Sequence, residues 1–296
     1  MEPPALGVYE KGMPVSLSLS DKLMEAARSG FDSMELSIDE TDEKLARLNW
    51  ETGEIRALCE AQDRAGIAIR SLCLSGHRKY PLGHPDPAVQ RESLRIMRGA
   101  IRLSARMGIP LIQLAGYDVY YEPSTERTSE IFGENLTRSV EMAAREGVVL
   151  AFETMETEFL NTVGKALSWV DRIQSPYLQI YPDLGNITNA ALTHGTDVLA
   201  DLAAGRGHLA ALHLKESKPG IFREVPYGEG HVRFSEAAAV ALKLGVRMFV
   251  GEFWYTGQDN WRDIMKGNEE FLRTALRRGE TLAEGTYRGA GTGGSL

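Results

Sequence analysis

The stretch "MAAREGVVLAFE", residues 142–153, contains the unit from which the fold is read. A helix-like segment ends at Gly147, where a helix needs a left-handed residue to stop. A continuous apolar run follows, the pattern of a parallel strand covered on both faces. The run then ends in Glu153, with Glu156 just beyond. An apolar strand that delivers a carboxylate needs a reason outside its own core.

The cadence recurs along the chain. "AARSGFDSMELSI", "AQDRAGIAIRSLCL", "LSARMGIPLIQLAG", "LAAGRGHLAALHLKE" and "ALKLGVRMFVGEF" carry it at Gly30, Gly66, Gly108, Gly207 and Gly245. Two more apolar runs, "LGVY" and "YLQIYPD", complete eight strands near 6–9, 34–38, 68–74, 110–115, 148–153, 177–182, 209–214 and 247–252. Between them, Leu94, Met97, Ile101 and Met107 fall at helical spacing, as do Leu136, Val140 and Ala143. Eight strands alternating with helices predict an α/β protein, a single-domain (β/α)8 TIM barrel over residues 1–278. The alternative is an open doubly wound sheet, whose dinucleotide-binding form would carry GxGxxG after the first strand; none is present. Residues 279–296 read as a flexible Gly-rich tail. Their "GAGTGG" follows no strand and opens no helix, so it is not read as a phosphate loop.

Composition narrows the function. The chain has 33 basic and 41 acidic residues, a formal net charge of −8. That balance argues against nucleic-acid binding, which needs basic surface. Cys59 and Cys73 show no disulfide or metal spacing, which suits a reducing cytoplasm. No run reaches the ~18 apolar residues of a membrane span, and the N-terminus lacks the basic and apolar regions of a signal peptide.

In a barrel of this kind the site forms at the C-terminal strand ends. The last four ends supply Glu153, Asp183, His213 and Glu252, all at one height. Singly, each acid reads as a helix cap and His213 as an interior histidine. Together they form a mixed oxygen and nitrogen set for one divalent metal ion, Mn²⁺, Co²⁺, Zn²⁺ or Mg²⁺. His208 falls at the opposite end of its strand and is read as structural.

"LGVYEKGMP", "LSGHRKYPLG", "IQLAGYDVYY", "YPDLGN" and "HLKESKPGIFREVPYGEG" together resemble the L-ribulose-5-phosphate 3-epimerase family, also called L-xylulose-5-phosphate 3-epimerases or hexulose-6-phosphate isomerases, within the xylose-isomerase-like barrels. The resemblance covers nearly all of residues 6–275. It implies a homo-oligomeric enzyme of ascorbate and related sugar catabolism, acting on a pentulose 5-phosphate. It also implies that Glu153, Asp183, His213 and Glu252 hold the metal. Epimerisation at C3 passes through a cis-enediolate, and inversion needs one proton carrier on each face. The resemblance gives these roles to Glu153 and Glu252.

The substrate phosphate calls for cationic donors. Lys218 and Arg223 are the leading candidates, with Arg78, Lys79 and Lys215 behind them. His77 and Glu156 are expected to contact substrate, and Tyr117, Tyr120 and Tyr121 to wall the pocket. An aldose–ketose isomerase would use the same metal and a similar enediolate. A metal-dependent AP endonuclease would need more than the six histidines here and a basic face. A metal-free sugar-binding barrel would leave the four strand-end ligands unused.

Overall fold

The computed structural model describes residues 3–289. The chain alternates β1 (Ala5–Tyr9), α1 (Leu19–Arg28), β2 (Ser33–Ile38), α2 (Asp42–Ala46), α3 (Thr52–Ala65), β3 (Ala68–Leu74), α4 (Pro87–Met107), β4 (Leu111–Ala115), α5 (Glu126–Glu146), β5 (Val149–Glu153), α6 (Val163–Ile173), β6 (Leu178–Ile180), α7 (Leu184–His194), α8 (Val198–Ala204), β7 (Leu212–Leu214), α9 (Phe234–Lys243), β8 (Met248–Gly251) and α10 (Trp261–Gly289). All strand pairs are parallel, in the order β6-β5-β4-β3-β2-β1-β8-β7. The six glycines read as helix stops all have positive φ, from +70° to +96°.

The sheet closes between β6 and β7 through isolated bridges, Ile180 with Leu209 and Asp183 with His213. Ile180 N donates to the His208 carbonyl at 2.8 Å, and His213 N donates to the Pro182 carbonyl at 2.9 Å. Both strands are therefore shorter than the sequence reading at 177–182 and 209–214. Pro182 has no N–H to give to a continuous ladder. The closure makes this a (β/α)8 barrel in one domain, not an open sheet.

The helices lay one apolar face on the barrel. α4 buries Ile96, Met97, Ala100, Ile101 and Leu103, and α5 places Phe132 against Phe152 of β5 and Trp169 of α6. Among the described residues no helix is long and apolar enough to cross a membrane.

The tail boundary at Gly279 is corrected. α10 runs through it to Gly289, because Gly279 is a packing point. A Cβ there would lie 2.7 Å from the Ala238 Cβ on α9. Close helix contact outweighs the ~1 kcal/mol that glycine costs a helix interior. The rest of the tail, residues 290–296 with most of "GAGTGG", lies outside the described residues.

One buried ion cluster ties the first two loops together. Glu10, in the turn after β1, is fully buried. It takes a hydrogen bond from Lys44, bonds Arg47 Nη1 at 2.6 Å and accepts from Ser37 N at 2.8 Å. Lys22 Nζ lies 3.6 Å away. Burial pushes its carboxyl up, yet Arg47, Lys44 and Lys22 overcome that and bring it down to about 2. A depressed carboxyl stabilises above its unfolded-state value, and that stabilisation fades as pH falls toward 2. Glu10→Gln is expected to lower stability at pH 7 by ~3–5 kcal/mol, because three cations lose their buried partner. Urea unfolding of both proteins at pH 7 and near pH 3 checks this: the gap should narrow in acid, and equal midpoints at pH 7 would remove the cluster's role.

Candidate active site

Glu153 is the last residue of β5, Asp183 follows β6, His213 lies in β7 and Glu252 follows β8. Each stands at the C-terminal end of its strand, so barrel closure points all four into one mouth. Asp183 and His213 are fully buried, while Glu153 and Glu252 keep 6% and 7% exposure. His213 Nδ1 lies 3.3 Å from Glu252 Oε2, 3.7 Å from Glu153 Oε1 and 3.9 Å from Asp183 Oδ2. One ligand atom from each residue falls within 4.8 Å of the others.

Asp183 performs two tasks at once. Its Oδ1 caps α7 by accepting from Asn186 N at 2.7 Å. Its Oδ2 is buried without a hydrogen-bond partner, and so is Glu252 Oε2. Buried acceptors of this kind are rarely left unpaired. Two unpaired carboxylate oxygens beside an imidazole nitrogen fit one divalent cation, so the four residues can hold a metal ion.

The surroundings fix these four side chains. The Thr154 hydroxyl accepts from Asp183 N at 3.0 Å, and the Thr154 carbonyl accepts from Asn186 Nδ2 at 2.7 Å. Lys215, expected near the phosphate, is instead buried inside the cluster. Its ammonium lies 3.0 Å from Asp183 Oδ1, 3.5 Å from Glu252 Oε2 and 2.9 Å from Asn186 Oδ1. Burial raises all three carboxyls, but Lys215 and His213 reverse this at Glu252 and hold it ionised. Asp183 is pushed up to about 8 by burial, against Lys215, with Glu252 and Glu153 adding to the rise. Glu153 is raised by burial and by the Glu252 charge.

Above these four residues the mouth is polar and aromatic. A cavity of ≈330 Å³ adjoins Lys215 and Glu252 and is walled by Tyr227, Phe253 and Trp254. Glu156 accepts from Tyr120 at 2.9 Å and from Arg223 at 3.1 Å. Arg223 also lies over the Trp254 ring, and Arg78 over the Tyr120 ring. Lys218 stands apart, half-exposed and 3.5 Å from Glu229. His77 is buried with Nε2 3.1 Å from the Ser93 carbonyl, and burial lowers it to about 4. Tyr117 is buried, whereas Tyr121 is exposed and donates to Glu40.

Two groups escaped the sequence reading. Glu35, in the middle of β2, meets His213 Nε2 at 2.8 Å. Gln113 of β4 places its amide nitrogen 3.0 Å from His213 Nδ1 and 3.3 Å from Nε2. Both sit on inward positions of apolar strands, where only alternation between a core face and the barrel lumen would have flagged them.

With this geometry in place, the xylose isomerase-like TIM barrel pattern matches residues 23–275. The chain belongs to that family. It is 41% identical over 266 residues to L-ribulose-5-phosphate 3-epimerase UlaE of Shigella boydii serotype 18, covering 89% of this chain and 92% of that protein. The same identity and coverage hold for the UlaE protein of Escherichia coli O157:H7. The resemblance drawn from the motifs therefore holds, and the chain is an isomerase of the epimerase class. Among solved structures, an L-ribulose 3-epimerase matches with a TM-score of 0.77 and 16% identity over 96% of this chain and 98% of that one. A D-allulose 3-epimerase from Methylomonas sp. matches at 0.74 and 16%, over 93% and 99%. At that identity the two structures speak to the barrel alone.

Calorimetric titration with Mn²⁺ after chelator treatment is expected to find one ion per chain. Because Asp183 sits near 8, binding at pH 7 should release protons, seen as a buffer-dependent heat. At a hundredfold excess over Kd the ion should stabilise the fold by ~2.7 kcal/mol. Asp183→Asn keeps an oxygen for the α7 cap and should lose the ion without losing the fold. Equal Mn²⁺ affinity in that variant would exclude Asp183 as a ligand.

Proposed function

We propose that the chain interconverts L-ribulose 5-phosphate and L-xylulose 5-phosphate by inverting C3. One observation carries the reading: Glu153 and Glu252 converge on His213 from strands that are not neighbours, in a chain 41% identical to proteins named for this reaction.

Inversion at a carbon beside a carbonyl removes a proton from one face and returns one to the other. Glu153 and Glu252 are the two least buried of the four ligands, so their carboxyls are the ones nearest an entering sugar. In this reading one takes the C3 proton, leaving an enediolate, and the other delivers a proton to the opposite face. A divalent ion held by Glu153, Asp183, His213 and Glu252 would supply Lewis-acid polarisation of the C2 carbonyl. Lys215 balances the carboxylates and keeps Glu252 ionised as an acceptor. Burial of the cluster strengthens every charge interaction there by excluding water.

The phosphate is assigned to Arg223 with Lys218 in support. Arg223 pairs with Glu156, Arg78 lies over the ring of Tyr120, which also bonds Glu156, and the buried Arg78 Nε has no hydrogen-bond partner. His77 and Glu156 complete the substrate side of the site, His77 by backing the loop after β3 and Glu156 by holding Arg223. A second place is favoured by charge: a cavity of ≈300 Å³ lined by Lys22, Lys44 and Arg47, with Glu43 also in its lining and Glu10 as the buried partner of the three cations. The enzyme is expected to work as a homo-oligomer in the cytoplasm, where a phosphorylated sugar is retained.

Proton NMR in D₂O, following C3–H exchange in L-xylulose 5-phosphate, tests the chemistry. Glu153→Gln and Glu252→Gln should each cut exchange by ~10²–10⁴-fold, and near-wild-type exchange in either would withdraw that role. C1–C2 isomerisation in the same spectra would point to the aldose–ketose reading. Arg223→Ala should raise KM for the phosphorylated sugar about tenfold and leave the unphosphorylated analogue unchanged, a loss of ~1.4 kcal/mol. An unchanged KM, with a raised KM in Lys22→Ala, would move the phosphate to the second place.

A further inference from the structure

Glu35 is a carboxylate where the fold alone would place an apolar side chain. It lies in the middle of β2, between Met34 and Leu36, and is fully buried. An ionised carboxylate in such a position is costly unless every lone pair is used. Here both oxygens are engaged. Oε2 accepts from the Ser71 hydroxyl at 2.6 Å and the Tyr181 hydroxyl at 3.1 Å. Oε1 faces His213 Nε2 at 2.8 Å.

That last contact decides which nitrogen of His213 is free. A carboxylate only accepts, so Nε2 carries the hydrogen. That leaves Nδ1, the nitrogen that faces Glu252, Glu153 and Asp183, as the one that can offer a lone pair to an ion. Tyr181 packs edge-on to the imidazole at 4.8 Å between centroids, so one side chain both bonds Glu35 and braces the ring.

We propose that Glu35 is a positioning residue for the metal centre: it fixes His213 with Nε2–H toward β2 and Nδ1 toward the ion, and raises the basicity of that nitrogen. Ser71 and Tyr181 hold Glu35 in place for this task. The inference rests on the metal reading of the four ligands. It adds that the affinity for the ion depends on a residue that touches neither the ion nor the sugar. Partners of this kind commonly change metal affinity 10–100-fold.

Glu35→Gln keeps the shape and removes the charge. Calorimetric titration of Mn²⁺ into wild type and Glu35→Gln is expected to give a Kd 10–100-fold weaker in the variant, with unchanged circular dichroism. In the Zn²⁺-loaded wild-type protein, ¹⁵N NMR of the histidines should show a His213 ligated through Nδ1 with a hydrogen-bonded Nε2–H. A folded Glu35→Gln with wild-type Kd overturns the proposal, and so does ligation through Nε2. The NMR measurement decides the matter even if the variant does not fold. Wild type that binds no ion at all would instead overturn the metal reading on which this one stands.

Discussion

Glu153, Asp183 and Glu252 share with His213 a space less than 4.8 Å across, almost sealed from water. Two like charges ~4 Å apart repel by about 4 kcal/mol at the effective dielectric of a protein. Three carboxylates cannot all stay ionised there without cations, and the neighbourhood follows from that fact. Lys215 enters from the β7 strand end and reaches both Asp183 and Glu252. Asn186 and Thr154 hold the groups that hold Asp183. Asp183 gives one oxygen to a helix cap and keeps the other free. The result is a site with room for a divalent charge.

The same logic, with the opposite sign, shapes the loop after β1. There one carboxylate, Glu10, gathers Lys22, Lys44 and Arg47. The two clusters lie on either side of β1: Tyr9 packs toward the His213 ring, while Glu10, the next residue, faces the three cations. One end of the barrel thus carries three carboxylates around an imidazole on one side of β1 and three buried cations around one carboxylate on the other.

The sequence made the barrel legible because its glycines and apolar runs mark every unit independently, and closure adds no new residue type. The convergence of Glu153, Asp183, His213 and Glu252 was legible for a related reason: each lies at or just beyond the end of an apolar run, and topology alone brings those ends together. Glu35 was not, because a single acid inside "SMELSI" looks the same whether it faces helices or lumen. Lys215 sits two residues beyond His213 and was assigned outward to the phosphate, since nothing in "HLKES" says which way a lysine turns. Lys22, Lys44 and Arg47 lie on helices or just after them, where charges are ordinarily solvated. Gly279 carried the wrong sign for the opposite reason: a residue that stops most helices here lets α10 press against α9.

The closing seam has a temporal consequence. Asp183 and His213 are bridge partners across it, and Glu252 follows the strand on the far side of β7. During synthesis from the N-terminus, β1 to β6 emerge and can pair in sequence order before β7 and β8 exist. A nascent chain in that state holds Glu153 and Asp183 but no imidazole to complete the ring of donors. Assembly of the site and closure of the barrel are one late event, so an ion can reward only the finished fold.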